Sequence, residues 1–218
     1  MSAEWPLRGL YLVTPDEPDT ATLLARVGRA LAARPVLLQY RNKLLDAAGR
    51  RTQAAEVLAL CRAAGVPMVV NDSVELALDI AADGVHLGRD DGDPAAARAR
   101  LGAGRIIGVS CYDEWARAVA GARAGADYLA FGAMFASPTK PAAVRAPLEL
   151  LGRARRELGR PVAAIGGITA ENAAQLVAAG ADLLAVISDV FAAPDPAVRG
   201  AEYAAVFRAG PRPAARPQ

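Results

Sequence analysis

Gln39, Arg41 and Lys43 stand at alternate positions where the apolar run Pro35-Val-Leu-Leu-Gln-Tyr-Arg-Asn-Lys43 leaves its hydrophobic register. Residues two apart on a strand share a face, so this spacing predicts an amide, a guanidinium and an ammonium pointing one way. Two cations beside an apolar core are costly to hold unless an anion meets them. A solvated, basic strand end is the alternative, and other parts of the chain must decide between the two. Further chemistry-bearing groups lie at Asn71-Asp72, at His86-Leu-Gly-Arg-Asp-Asp91, at Ser110, in Ser137-Pro-Thr-Lys140, at Gly166-Gly167 and at Ser188.

Elements that could position them are short runs rich in Val, Ile and Leu at 10–14, 36–41, 68–71, 84–87, 106–110, 128–132, 162–165 and 183–187. Helical stretches are expected between them at 20–33, 51–64, 73–81, 94–101, 113–124, 147–158 and 171–179, with a last one at 196–208. Gly65, Gly125, Gly159 and Gly180 each precede a strand, where a helix needs a left-handed terminator. Strands that alternate with helices must be parallel, and their continuous apolar character fits burial on both faces. Eight such units predict a single (β/α)8 TIM barrel over 1–208, with a doubly wound open sheet as the alternative. The Pro-rich segment 209–218 is expected to be a disordered tail.

Bulk properties exclude several classes. The chain has 218 residues, 53% hydrophobic and 22% charged, enough for a sizeable core. A net charge of +2 and 5% aromatics argue against nucleic acid as a partner. No apolar stretch approaches the ~20 residues of a membrane span, and the N-terminus lacks a secretion-signal layout. Cys61 and Cys111 are expected to be reduced thiols in a cytoplasmic protein.

In a barrel of this kind, function gathers at the C-terminal ends of the strands. Asp72 and Asp91 then supply oxygen ligands from adjacent units, a pair suited to Mg²⁺ completed by substrate oxygens and water. Arg41, Lys43 and Lys140 suit a ligand with several negative charges, such as pyrophosphate. Gly167 and the Ile187-Ser188 backbone follow the seventh and eighth strands, where barrels commonly bind one phosphate. Each group also has a structural reading. Asp72 could cap a helix starting near Ser73, Asp90 and Asp91 could serve a turn, and Ser110 could cap a helix. His86, the sole histidine, could be a hydrogen-bonded core group.

Taken in order, Gln39-x-Arg41-x-Lys43, Asn71-Asp72, Asp83-Gly-Val-His-Leu-Gly88, Gly108-Val-Ser110, Ser137-Pro-Thr-Lys140, Ile165-Gly-Gly-Ile168 and Ala185-Val-Ile-Ser188 resemble the thiamine-phosphate synthase family over residues 8 to 208. The resemblance implies that a pyrimidine diphosphate loses pyrophosphate and a thiazole phosphate captures its methylene group. It implies that Gln39, Tyr40, Arg41, Asn42, Lys43, Asn71, Ser110 and Lys140 hold the pyrimidine diphosphate, with Arg41, Lys43, Ser110 and Lys140 serving catalysis. Asp72 and Asp91 would hold Mg²⁺, and Ser137, Pro138, Thr139, Gly167, Ile187 and Ser188 the thiazole phosphate. Asn42, often acidic in the family, is expected to turn its side chain away from the site. Ser137 replaces a common threonine, and Arg89 a frequent glutamine. A related thiazole tautomerase and a non-catalytic phosphate-binding barrel are the competing functions. A homo-oligomer is compatible with all of them.

Overall fold

The computed structural model describes residues 8–136 and 144–210. Strands β1 (Gly9–Val13), β2 (Leu37–Tyr40), β3 (Met68–Asn71), β4 (Gly84–Leu87), β5 (Ile106–Tyr112), β6 (Tyr128–Phe131), β7 (Val162–Ile165) and β8 (Leu183–Val186) pair in sequence order, all parallel. β1 also pairs with β8, so the sheet closes and the open-sheet alternative is excluded. The helices are α1 (Thr20–Ala30), α2 (Ala47–Ala63), α3 (Val74–Asp79), α4 (Pro94–Leu101), α5 (Trp115–Arg123), α6 (Glu149–Leu158), α7 (Ala170–Ala178), α8 (Ser188–Phe191) and α9 (Pro196–Ala209). None among the described residues is long and apolar enough to cross a membrane.

Alternation along each strand separates two apolar layers. Tyr11, Val13, Leu37, Val69, Tyr128, Ala130, Ala163, Leu183 and Ala185 fill the barrel interior. Leu10, Leu12, Leu38, Tyr40, Leu129 and Phe131 face the helices instead. The four helix-closing glycines all have positive φ, as their positions before strands require. Two differences from the sequence reading are local. Helix α2 begins at Ala47, because Asp46 caps it by accepting from Gly49 N at 2.8 Å and offsets the weak propensity of Gly49. The short α8 follows β8 directly, and too few residues are involved to leave a helical period.

At the N-terminal face, three aspartates do one job. Asp83, Asp127 and Asp182 stand just before β4, β6 and β8 and accept from the backbone N–H of Met68 (2.8 Å), Ile107 (2.7 Å) and Val162 (3.1 Å), at or next to the starts of β3, β5 and β7. Each closes an otherwise orphaned strand donor. Asp127 also pairs with Arg98 at 2.6 Å. Asp127→Ala is expected to lower stability by about 1.5–3 kcal/mol in urea unfolding. Turnover of the folded protein should not change, because the residue lies at the barrel end opposite the mouth.

Candidate active site

At the other end, a cavity of about 530 Å³ is lined by Arg41, Lys43, Arg50, Asn71, Asp72 and Ser73, among others. Strand β2 ends at Tyr40, so what aims Arg41 and Lys43 is the loop after β1 rather than strand alternation alone. Thr14 Oγ1 donates to Arg41 O (2.7 Å) and accepts from Arg41 N (2.8 Å). Asp16 then pairs with the Arg41 guanidinium at 2.7 Å and accepts from Lys43 N at 2.8 Å. Neither Thr14 nor Asp16 is apparent as a site residue in sequence, since their partners lie in the segment that follows the neighbouring strand. Arg50 is a further cation on the cavity wall, contributed by α2.

Tyr40 and Asn42 border the same cavity, but their side chains are committed elsewhere. Tyr40 Oη donates to Gln53 Oε1 at 3.0 Å. Asn42 Nδ2 donates to Glu17 O (2.6 Å) and Gln53 Oε1 (2.8 Å), and its Oδ1 accepts from Leu44 N (2.9 Å). Both side chains therefore hold the loop to α2, and that of Asn42 turns outward as strand alternation predicts.

Asp72 and Asp91 come together. Asp72 has a φ of 68°, a left-handed conformation that aspartate tolerates better than most residues. Ser73, not Asp72, caps α3, accepting from Leu76 N at 3.1 Å. Asp91 accepts from Gly88 N at 2.7 Å, and a Cβ on Gly88 would meet Asp91 Oδ2 at 2.7 Å. Burial, then the hydrogen bond and charge of Asp91, push the Asp72 carboxyl up to about 6, while Lys43 opposes them. Two half-buried carboxylates in mutual contact fit a hard cation taking oxygen ligands. Among the described residues no cluster of three His, Cys, Asp or Glu forms a metal site, so a bound ion would draw its other ligands from substrate or water. Arg89, beside this loop, is engaged by an ion pair with Glu114 and lies 5.0 Å over the Tyr112 ring.

Ser110 is not a helix cap. A β-bulge interrupts the β5–β6 register between Ser110 and Tyr112. Ser110 Oγ lies 2.8 Å from His86 Nε2, and His86 Nδ1 lies 2.9 Å from Tyr128 Oη. Tyr128 Oη is 2.7 Å from Tyr11 Oη, to which Gln39 Nε2 donates at 2.5 Å. This buried string crosses the barrel beneath the mouth and includes Tyr11 and Tyr128, which read in sequence only as apolar strand residues. Burial drives the His86 pKa down to about 4. Cys111 is buried with its thiol pushed up to about 12, which removes it as a nucleophile at neutral pH.

Across the mouth, Gly166 and Gly167 have φ of 104° and 62°. A Cβ on Gly167 would meet Ala136 O at 2.5 Å, so only glycine fits this turn. Ile187 precedes α8, and Ser188 opens it with its side chain exposed. Asp189 ties this corner together by accepting from Tyr203 Oη (2.7 Å) and Ala170 N (3.3 Å). Ser137, Pro138, Thr139 and Lys140 lie outside the described residues.

A closed parallel barrel whose strand ends carry paired carboxylates, several cations and a glycine turn defines a phosphate-ligand (β/α)8 enzyme scaffold. The family profile "Thiamine monophosphate synthase" matches residues 10–190, and the chain belongs to that family. A thiamine-phosphate synthase from Aromatoleum aromaticum is 68% identical over 203 residues, covering 93% of this chain and 98% of the relative. One from Azoarcus sp. is 67% identical over 201 residues, with 92% and 98% covered. The solved thiamine phosphate pyrophosphorylase from Pyrococcus furiosus superposes with a TM-score of 0.81 at 30% identity, covering 93% of this chain and 96% of that one. A 3-hexulose-6-phosphate synthase from Salmonella typhimurium, at 19% identity and TM-score 0.69, shares the fold alone.

Proposed function

We propose that this chain joins 4-amino-2-methyl-5-(diphosphooxymethyl)pyrimidine to a thiazole phosphate, giving thiamine phosphate and pyrophosphate. The observation that carries this reading is the contact of Asp91 with Asp72, which lines one cavity together with Lys43 and Arg41. A bound Mg²⁺ would neutralise charge on the diphosphate oxygens there. The C–O bond breaks first, its electron pair leaves with pyrophosphate, and the pyrimidine amino group stabilises the methylene cation. The thiazole nitrogen lone pair then forms the C–N bond. With a 2-carboxylated thiazole, CO₂ departs as well.

In this scheme the chain supplies neither nucleophile nor strong base. Arg41, Lys43 and Lys140 bind the diphosphate and stabilise its growing charge. Gln39, Asn71 and Ser110 orient the pyrimidine, to which Tyr40 and Asn42 contribute backbone. Ser137, Pro138, Thr139, Gly167, Ile187 and Ser188 hold the thiazole phosphate, which aligns its nitrogen for attack. Residues 1–208 form the catalytic domain under the same proposal. A cytoplasmic location belongs to it too, supported by two buried, unbridged thiols. A thiazole tautomerase would need no diphosphate–metal half, so the paired aspartates favour the synthase.

Lys140→Ala should lower kcat by more than it raises KM, because its charge acts mainly on the departing pyrophosphate. Steady-state kinetics showing an unchanged kcat would contradict that role. The function itself is tested by incubating the protein with both substrates and Mg²⁺ and oxidising the product to fluorescent thiochrome. Absence of thiamine phosphate, with both ligands shown to bind, would refute it.

A further inference from the structure

The hydrogen bonds beneath the mouth have a direction. Gln39 Nε2 donates to Tyr11 Oη, so the Tyr11 proton is available to Tyr128 Oη, the next oxygen at 2.7 Å. With that bond accepted, the Tyr128 proton is left for His86 Nδ1, 2.9 Å away. The imidazole sits between two hydroxyls, is only 7% exposed, and has no carboxylate hydrogen-bonded to it among the described residues. A cationic ring there would be a buried charge whose desolvation outweighs the attraction of Asp91. The neutral ring with an acceptor at Nδ1 carries its proton on Nε2 and donates to Ser110 Oγ at 2.8 Å. Both ends are then fixed in character. Ser110 Oγ is occupied as an acceptor, and its own proton remains to be donated. Gln39 has its amide N–H directed inward, which leaves Oε1 as an acceptor. No buried side-chain nitrogen or oxygen among the described residues lacks a partner, so Oε1, for which none is seen, reaches solvent.

We propose that Tyr11, Tyr128 and His86 are positioning residues that polarise the site, presenting an acceptor at Gln39 and a donor at Ser110, and so select an amino-substituted nitrogen heterocycle over its oxo counterpart. An aminopyrimidine offers the complementary pair, an N–H donor on the exocyclic amine and a lone-pair acceptor on a ring nitrogen. The oxo form offers a carbonyl acceptor and a ring N–H donor, the opposite pattern. A site whose buried groups are already oriented discriminates strongly between such partners. The same polarity serves ionisation, because a carbonyl oxygen accepting from the amine stabilises positive charge as it spreads onto that nitrogen. Gly108 makes the arrangement possible: a Cβ there would meet the Tyr128 ring at 2.1 Å.

This inference rests on the pyrimidine-binding reading of Gln39 and Ser110, and its test separates the two. The probes are the 4-amino and 4-oxo pyrimidine diphosphates with a CH₂ in place of the ester oxygen, which cannot ionise, titrated into the protein with Mg²⁺. Wild type should bind the amino probe at least about 100-fold more tightly than the oxo probe. Tyr128→Phe and Tyr11→Phe each interrupt the string without changing its volume. They should shrink that ratio to about tenfold or less while leaving competitive inhibition by pyrophosphate within about twofold of wild type. Failure of wild type to bind the amino probe would overturn the pyrimidine site and the inference with it. Strong amino binding without discrimination, or full discrimination in the variants, would overturn the inference alone. Should both variants fail to fold, ¹⁵N NMR of wild type decides, since His86 is the only histidine. An Nε2–H tautomer supports the stated direction, and an Nδ1–H tautomer overturns it.

Discussion

Asp72→Asn should sharply reduce turnover and yet stabilise the metal-free protein at pH 8. The Asp72 carboxyl is held up at about 6 against an ordinary 3.8, first by burial and then by Asp91. An acid whose folded-state pKa is raised contributes stability that is fully present below 3.8 and is lost as pH rises through about 6. The full shift corresponds to about 3 kcal/mol, and since Asp72 is half-exposed, solvent screening reduces this to about 1–2 kcal/mol. Asparagine removes the charge, tolerates the same left-handed backbone and keeps the side chain's size. Thermal melts in EDTA should therefore show the variant higher by about 2–6 °C at pH 8, with the gap closing toward pH 4. Mg²⁺ should raise the melting temperature of wild type and not of the variant. Turnover should fall at least about 100-fold, because charge on the departing diphosphate loses its counter-ion. A variant no more stable than wild type at pH 8, or one retaining most of its activity, would contradict a strained cation site.

Arg41→Ala is expected to reduce kcat/KM by about 10²–10³-fold. A cation about 4 Å from the leaving charge is worth on the order of 4 kcal/mol at an effective dielectric near 20, with part of that recovered by water. Asp16 is the structural counterpart, because it holds both the Arg41 guanidinium and Lys43 N. Asp16→Asn should therefore be a milder defect of the same kind, about 3–10-fold, expressed mainly in KM for the pyrimidine diphosphate. Initial-rate kinetics distinguish the two. Equal effects on both substrates' KM would instead indicate general collapse of the mouth.

How much of this was legible in sequence follows from the range of each interaction. The strands at 68–71, 84–87 and 162–165 coincide with β3, β4 and β7, because apolar runs bounded by turn residues are local signals. Asp72 and Asp91 could be placed together since adjacent units of a barrel bring adjacent strand tips together. Thr14 and Asp16 could not, because they act on the backbone of a segment about 25 residues away. Tyr11 and Tyr128 are hidden for a different reason. A tyrosine inside a barrel looks like packing until a facing glycine, here Gly108, lets its hydroxyl reach another. Asn42 shows the converse: strand alternation alone predicts that its side chain turns outward, and Gln53 holds it there.

The most direct test follows product and leaving group together. Protein mixed with the pyrimidine diphosphate and the thiazole phosphate in Mg²⁺ should release thiamine phosphate and pyrophosphate in a 1:1 ratio, and EDTA should stop both. Pyrophosphate release without thiamine phosphate, no product despite binding of both ligands, or turnover indifferent to EDTA would contradict the metal-assisted transfer proposed for this mouth.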